Sequence, residues 1–376
     1  MKLARGLLVL GLLAMGCSKA ASPPPVSVES ERGAVLGERT KTARPASPPR
    51  AATSEDVQRA LQNAYRTTQR ESGGKNADYI PALAAVDARL FGIALATVDG
   101  AVYEIGNARE AFSIQSVSKV FTLARAIELL GAKQVERAIG VNATGKAFNS
   151  IIAIEENKAD ERAIPGNPLV NPGAIATVAL LPATTPDERW SQILANLSAF
   201  AGRPLSVNQE VYKSESETNT RNRAIGLLLH AYTVIESNPD DVVDIYTRQC
   251  SVNVTARDLA VMGATLANGG TNPVTEQKVV EPTTAAHVLA VMTTAGLYET
   301  TGAWMYEVGA PAKSGVGGGI VAVVPGKFAI GTFSPPLDDA GNSVRGQLAI
   351  AKVVSELHAN PLASQPQGTG EKAATP

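Results

Sequence analysis

The sequence places its most reactive pair of side chains at Ser116 and Lys119, which form an S-x-x-K motif at the head of an apolar run. Residues three apart lie on one face of a helix, so the Ser116 hydroxyl and the Lys119 amine can meet. A serine hydroxyl becomes a nucleophile only when a base takes its proton. A lysine amine can be that base near neutral pH only where burial or a second cation lowers its pKa. The motif therefore predicts a closed pocket, which the rest of the chain must build.

A second motif, Lys313-Ser314-Gly315, precedes a predicted hairpin near the C-terminus. A K-S-G triplet alone is a weak signal. Together with an earlier S-x-x-K, it resembles the penicillin-binding-protein and serine β-lactamase superfamily. The resemblance implies that Lys313 lies beside the nucleophile and lowers the pKa of Lys119. It also implies an oxyanion hole made by the backbone N–H groups of Ser116 and Val316.

Composition restricts the other classes of function. The chain has 376 residues, of which 44% are hydrophobic and 18% charged, with a formal net charge of −1. These values are typical of a globular protein with one or two domains, and no basic excess indicates a nucleic-acid partner. The three histidines share no metal-ligand spacing with the two cysteines, so we expect no metal and no cofactor. A Ser-His-Asp triad stays open, but no G-x-S-x-G elbow supports it.

Residues 1–16 have the features of a secretory signal peptide, with a basic start and an apolar core too short to span a bilayer. The end of this segment resembles a bacterial lipobox, in which Cys17 would carry the lipid, although Ala14 stands where leucine is usual. The alternative is ordinary cleavage near Gly16 or Ala21. We expect an exported protein, either periplasmic or anchored to the outer membrane by a lipid at Cys17.

Two segments are too rich in Ala, Pro, Ser and other small or polar residues to bury an apolar core, namely the linker 17–52 and the tail 360–376. Residues 53–359 between them are predicted to form the catalytic domain. Cys250 lies in this domain, and we expect it to be a small buried hydrophobic residue without a disulfide.

Two hairpins are predicted at opposite ends of this domain, one turned at Asp99-Gly100 and one at Pro325-Gly326. The region from about 135 to 300 has mostly helical periodicity. Helices are also predicted after an N-cap at Ser54, from the S-x-x-K motif to Gly131, and from about 347 to 358. The predicted fold is therefore α/β (α+β) and serine β-lactamase/transpeptidase-like. Its antiparallel sheet is built from both termini and packed with helices, beside a helical lobe.

Further stretches resemble, in the same order, the bacterial serine-dependent glutaminases, and they span about residues 55–358. The matching stretches are 77–81, 112–119, 167–171, 214–217 with 221–222, Tyr246 with 249–251, 266–270, 296–298, 311–316, and 334–338 with 341–344.

The resemblance implies hydrolysis of L-glutamine to L-glutamate and ammonia through a γ-glutamyl-serine acyl-enzyme, by an amidohydrolase that acts on a linear amide. Ser116 is then the nucleophile and Lys119 the base, with Tyr79 and Tyr298 in proton handling. The implied substrate-binding set is Ser116, Asn171, Glu215, Asn222, Tyr246, Tyr298 and Val316, and the pocket is supported by Gln115 and Lys313. The family also implies a homodimer or homotetramer.

Chemistry makes this set reasonable for glutamine. Glu215 can take the α-ammonium group as a charge-assisted hydrogen bond, and Asn171, Asn222 and Tyr246 can donate to the α-carboxylate. Without the resemblance, Glu215 would be interpreted as a surface acid and Asn222 as a helix cap.

The sequence departs from the family pattern at two places near these residues. Pro172 stands where alanine is usual, and we expect it to be tolerated in the first turn of a helix. The segment 218–220 lacks the usual Gly-Asp before Arg221-Asn222, which could shift Glu215 relative to Asn222.

Two other functions remain open. An exported β-lactamase or peptidoglycan peptidase of the same fold would suit the signal peptide, but the chain has no S-D-N motif. A catalytically dead lipoprotein that binds amino acids is the non-enzymatic alternative, and the presence of Ser116, Lys119 and Lys313 argues against it.

Overall fold

The sheet that supports the two motifs is described by a computed structural model, which covers residues 52–156 and 165–363. The described strands are β1 (Gly92–Thr97), β2 (Val102–Gly106), β3 (Phe112–Ser113), β4 (Asn253–Val254), β5 (Ala312–Gly315), β6 (Gly319–Val324) and β7 (Phe328–Phe333). Five of them form one antiparallel sheet in the order β2-β1-β7-β6-β5, while β3 pairs with β4. The first and last thirds of the domain thus share one sheet, which confirms the prediction.

Helices occupy most of the remaining domain. The described helices are α1 (Ser54–Thr68), α2 (Pro81–Ala84), α3 (Ser118–Leu130), α4 (Ala132–Ile139), α5 (Ile152–Glu156), α6 (Asn171–Leu180), α7 (Pro186–Ala201), α8 (Gln209–Thr218), α9 (Thr220–Ala231), α10 (Pro239–Cys250), α11 (Ala256–Ala267), α12 (Pro282–Ala295), α13 (Thr301–Glu307) and α14 (Val344–Glu356). Two short 3₁₀ turns, Gln115–Val117 and Tyr298–Thr300, precede α3 and α13 and carry residues of the site.

The sheet separates two apolar layers because successive side chains of a strand point to opposite faces. Large side chains such as Leu95 and Ile330 pack on one face in a cluster with residues of α1 and α14. Small ones such as Ala94 and Ala329 face α11 and the helical lobe. This face allows a close approach, since a Cβ added at Gly331 would lie 2.1 Å from the Ala256 carbonyl oxygen. Large side chains on one face and small ones on the other therefore place α11 close against the sheet.

Both predicted hairpins are present, with β1 paired to β2 and β6 paired to β7. The cap of α1 differs from the prediction: Thr53, not Ser54, is the N-cap, and it exchanges hydrogen bonds with Asp56 in a capping box. The helix after the S-x-x-K motif ends at Gly131 as predicted, with φ of 82°. A positive φ is easily adopted only by glycine, so this residue defines the end of α3.

Several predictions fall outside the described residues, namely the signal peptide 1–16, the lipid site at Cys17, almost all of the linker 17–52 and the tail beyond Ala363. Within the described ranges, no helix is both long and apolar enough to cross a membrane.

Candidate active site

The nucleophile lies in a strained turn. Ser116 sits in the 3₁₀ turn that leads into α3, and the preceding residue, Gln115, has a φ of 48°. Such a conformation costs a non-glycine residue about 1–3 kcal/mol and persists only where the surroundings hold it. The Ser118 hydroxyl donates to the Gln115 carbonyl over 2.7 Å, and the Ile114 N–H donates to the Val252 carbonyl over 2.8 Å. These bonds hold the turn that carries Ser116.

The K-S-G strand, β5, lies directly against this turn. A Cβ added at Gly315 would lie 2.7 Å from the Ile114 carbonyl oxygen and 3.2 Å from the Ser116 nitrogen. The position therefore requires glycine for close approach. The predicted juxtaposition of the two motifs is present, and Val316 follows Gly315 at the same edge, largely buried.

Lys119 is fully buried, as a lysine base requires. Burial lowers its pKa from 10.5 to about 8, against the opposing effects of Cys250 and Glu215. Its Nζ donates to Asn171 Oδ1 over 2.6 Å and to the Leu169 carbonyl over 3.4 Å. In the described part of the chain it makes no hydrogen bond to Ser116, although the two residues lie on the same turn.

Lys313, the lysine of the K-S-G motif, is completely buried on β5. Burial and then the charge of Lys119 hold the Lys313 pKa well below its usual range, whereas burial accounts for the lowered pKa of Lys119. The Lys313 Nζ donates to the Ser314 carbonyl over 2.7 Å and lies 4.0 Å from the centre of the Tyr298 ring. Because two buried positive charges this close oppose each other, the two amines are not readily protonated at the same time.

Tyr298 lies beside the nucleophile, in a second strained turn with a φ of 56°. Burial raises the pKa of its phenol, and the Ser116 and Ser314 hydroxyls act in the opposite direction. The phenol oxygen is buried without a hydrogen bond of normal geometry to the described residues. The side chain is therefore a neutral phenol close to both motif serines.

Glu215 is buried on the last turns of α8, with 6% of its surface exposed, while Glu217 on the same helix is exposed. Burial raises its pKa from 4.5 to about 7, and the Gln115 side chain and the Lys119 charge lower it. Gln115 Nε2 donates to Glu215 Oε2 over 3.0 Å. The side chain before the nucleophile therefore contacts the predicted ammonium-binding carboxylate.

An open cavity of about 270 Å³ adjoins this carboxylate. Its wall includes predicted substrate-binding residues together with neighbouring loop residues, namely Tyr79, Ile80, Phe148, Asn149, Asn171, Glu215, Thr218, Asn219, Arg221 and Asn222. Its volume is just below the usual range for drug-sized ligands, about 300–1,000 Å³, and so fits a small metabolite. Tyr79 is 54% exposed and lies at the cavity mouth.

Asn171 connects the cavity to the buried lysine. Its Oδ1 accepts hydrogen bonds from Lys119 Nζ and, over 3.2 Å, from the Tyr246 hydroxyl, while its Nδ2 donates to Asn222 Oδ1 over 2.9 Å. Pro172 occupies the first turn of α6, as expected for a tolerated proline. The altered segment 218–220 is a short junction between α8 and α9 that keeps Glu215 and Asn222 on the same cavity wall.

Cys250 is free and buried, as predicted, but it lies within the site. Burial raises the pKa of its thiol, and the thiol interacts with the Tyr246 and Ser118 side chains. No local pattern indicates this position, because Cys250 is far from Ser118 along the chain, although residues 249–251 are one of the stretches that resemble the glutaminases. No group of three His, Cys, Asp or Glu side chains in the described ranges could hold a metal ion.

Comparison with known proteins identifies the family. The glutaminase family model matches residues 74–361. The chain belongs to the glutaminase family. Similar proteins include a glutaminase from Colwellia psychrerythraea, 55% identical over 304 residues that cover 81% of this chain and 96% of the relative. Glutaminase 2 of Yersinia pestis is 48% identical over 312 residues, which cover 83% of this chain and 91% of the relative.

Solved structures of glutaminases have the same fold. The probable glutaminase ybaS superposes with a TM-score of 0.81 at 44% identity, covering 83% of this chain and all (100%) of that one. The probable Bacillus subtilis glutaminase gives 0.73 at 29% identity, covering 82% and 97%. The structure of Mglu in its glutamate form gives 0.77 at 39% identity, covering 81% and 69%. The predicted family, enzyme class and β-lactamase-like fold are confirmed.

Proposed function

We propose that this glutaminase hydrolyses L-glutamine to L-glutamate and ammonia through a γ-glutamyl ester of Ser116. The observation that carries the proposal is the buried Lys119 amine, three residues from Ser116 and joined through Asn171 to the small cavity. The match to glutaminases, and the similar Mglu structure in its glutamate form, support the choice of substrate.

The hydrogen-bond inventory of Lys119 supports its role as the base. A neutral amine has two N–H donors and one lone pair, and the two acceptors Asn171 Oδ1 and Leu169 O already use both donors. The remaining lone pair is available to take the Ser116 proton. With a pKa of about 8, roughly one Lys119 in ten is neutral at pH 7.

The reaction then proceeds in two acyl-transfer steps. Ser116 Oγ forms a bond to the γ-carbonyl carbon, and its proton passes to Lys119 and on to the leaving nitrogen, which departs as ammonia. The N–H groups of Ser116 and Val316 stabilise the oxyanion, since Gly315 brings β5 against the nucleophile turn. A water molecule then gives a proton to Lys119 and attacks the ester, and Lys119 passes that proton to Ser116 Oγ as glutamate leaves.

The cavity supplies groups suited to the amino-acid end of the substrate. The Glu215 carboxylate can accept from the α-ammonium group, and the Asn171 and Asn222 amides and the Tyr246 hydroxyl can hold the α-carboxylate. Gln115 already orients the carboxylate of Glu215. We assign Tyr79, at the mouth, to substrate entry and proton exchange with water.

The proposal is tested with the full chain by ammonia release from L-glutamine, L-asparagine and D-glutamine. Ser116→Ala should abolish release from L-glutamine while the urea-unfolding midpoint stays unchanged, and Ser355→Ala, at an exposed serine of α14, should retain turnover. Near-normal turnover by Ser116→Ala would refute the mechanism. Hydrolysis of a chromogenic cephalosporin without ammonia release would favour the β-lactamase alternative. Glutamine binding without turnover by the wild type would favour a binding protein.

We also propose that the protein is exported and that a lipid on Cys17 anchors it to a membrane. We further propose that it forms a homodimer or a homotetramer. The basis is the sequence of the leader and the family resemblance. Incorporation of labelled fatty acid into the wild type but not into Cys17→Ala would support the anchor, and light scattering would measure the assembly. Labelling that is unchanged in Cys17→Ala would refute the anchor at this residue.

A further inference from the structure

The loop between β7 and α14 brings an additional buried asparagine to the site. Asp338 shapes this loop, because its Oδ1 accepts from the N–H of Ala340 over 3.0 Å and from the N–H of Asn342 over 2.9 Å. Asn342 is completely buried. Its side chain joins two residues that are distant in sequence: the Ser314 hydroxyl donates to Asn342 Oδ1 over 2.5 Å, and Asn342 Nδ2 donates to Thr300 Oγ1 over 3.1 Å.

The direction of these hydrogen bonds follows from Thr300. Its hydroxyl donates to the Leu297 carbonyl over 2.8 Å, and a carbonyl can only accept. Asn342 must therefore turn its NH₂ group to Thr300 and its oxygen to Ser314. The Ser314 hydroxyl must then donate to Asn342. Its oxygen is left with lone pairs, and without a proton, for any further partner.

Tyr298 lies beside this oxygen, and its phenol makes no hydrogen bond of normal geometry to the described residues. The Ser314 hydroxyl is close enough to act on the phenol, as is the Ser116 hydroxyl. The strained Tyr298 turn is held locally by the Thr301 hydroxyl, which donates to the Tyr298 carbonyl over 2.7 Å. The bond from Asn342 to Thr300 ties the same turn to the distant loop. Asn342 thus contacts both the turn that carries Tyr298, through Thr300, and the hydroxyl of Ser314.

We propose that Asn342 is a positioning residue for the acyl-transfer step, because it anchors the Tyr298 turn and makes the Ser314 oxygen an acceptor. The phenol proton is then directed to Ser314, and a phenol lone pair faces Ser116 or an N–H of the leaving nitrogen. Tyr298 keeps its proton throughout, while the proton of Ser116 travels through Lys119 to the leaving group. This inference rests on the proposed function and defines Tyr298 as a hydrogen-bond acceptor.

The test is a double-mutant cycle between Asn342→Ala and Tyr298→Phe in the full chain, with kcat and KM measured by ammonia release from L-glutamine. In the wild-type background, Asn342→Ala should lower kcat roughly 10- to 100-fold, with KM nearly unchanged, as expected for a misplaced group. In the Tyr298→Phe background, the same change should lower kcat by less than about 3-fold, because the two residues act together. Thr300→Val should also lower kcat, and it disturbs packing less than Asn342→Ala does.

Asn272→Ala is the matched control. Asn272 is also a completely buried loop asparagine, and its Nδ2 donates to the carbonyls of Ala199 and Phe200. It should lower the urea midpoint about as much as Asn342→Ala and leave kcat per folded protein unchanged. If Asn342→Ala lowered kcat by the same factor in both backgrounds, this inference alone would be overturned. The same holds if Asn342→Ala did not lower kcat in a wild-type background that is active. A wild type without ammonia release would overturn the proposed function and this inference together.

Discussion

Glu215→Gln should make the folded protein more stable at alkaline pH while it weakens glutamine binding. The Glu215 carboxyl is buried, and burial raises its pKa from 4.5 to about 7 in spite of Gln115 and Lys119. A glutamine side chain has nearly the same shape and can still bond to Gln115. It has no charge to remove from water. The substitution therefore removes an energetic cost that the native residue carries for the sake of its charge.

The pH dependence follows from the direction of this shift. Because the folded-state pKa lies above the unfolded one, the unfolded chain loses its proton first as the pH rises. The free energy of unfolding contributed by Glu215 therefore falls between about pH 4.5 and pH 7 and is constant above that range. The difference corresponds to roughly 3 kcal/mol. The variant should exceed the wild type by up to ~3 kcal/mol at pH 8 and by nothing near pH 4.

Urea unfolding of both proteins over about pH 5 to 8.5, at one protein concentration, measures this difference. Glu217→Gln is the matched control, since Glu217 is exposed on the same helix and should change neither stability nor binding. In the ammonia assay, Glu215→Gln should raise KM by about 10- to 100-fold, the value of a charge-assisted hydrogen bond. A stability difference that does not grow with pH, or that Glu217→Gln reproduces, would refute the reasoning.

Two further predictions concern the chemical step. Turnover at saturating glutamine should rise through about pH 8, where Lys119 loses its proton, and Lys119→Arg should lack both turnover and this rise; a profile flat across that range would contradict the assignment of the base. Gly315→Ala should lower kcat by roughly 100-fold, because the methyl group would lie 2.7 Å from the Ile114 oxygen and 3.2 Å from the Ser116 nitrogen. Gly302→Ala, whose methyl group meets no atom within 4 Å, should leave kcat unchanged; an equal loss would indicate a general structural effect.

The hairpins and the end of α3 could be predicted from the sequence because short stretches of neighbouring residues determine them. The hairpins follow from apolar runs around Asp99-Gly100 and Pro325-Gly326, and the end of α3 follows from Gly131. Within the region of helical periodicity, no local pattern marks the bounds of α8, because its inward face carries Glu215 and only one buried apolar residue, Val211. A helix is recognised in a sequence by a repeated apolar face. In α8 that face is interrupted by Glu215, the residue that we assign to substrate binding.

In the active site, too, some residues could be predicted from local spacing and others could not. The spacing of Ser116 and Lys119 was enough to predict a nucleophile and a base, because both lie within one helical turn. By contrast, no local pattern separates buried Glu215 from exposed Glu217, and only the family resemblance selected the first. The bond between Ser314 and Asn342 joins two loops of the tertiary structure, so neither residue alone indicates it. The stretch Gly341-Asn342-Ser343 resembles the glutaminases in sequence, but the resemblance does not indicate that Asn342 bonds to Ser314.

The pairing of β1 with β7 has a consequence for how the enzyme becomes active. Ala94 lies opposite Gly331, so nearly the whole domain must be synthesised before the sheet can close. Pairings between such distant segments form slowly, since the entropy of the long intervening chain is lost before the contacts are gained. A nascent chain that already contains Ser116 and Lys119 still lacks β5, and therefore lacks the strand that lies against the serine. Its amidase activity should appear only with the last step of folding.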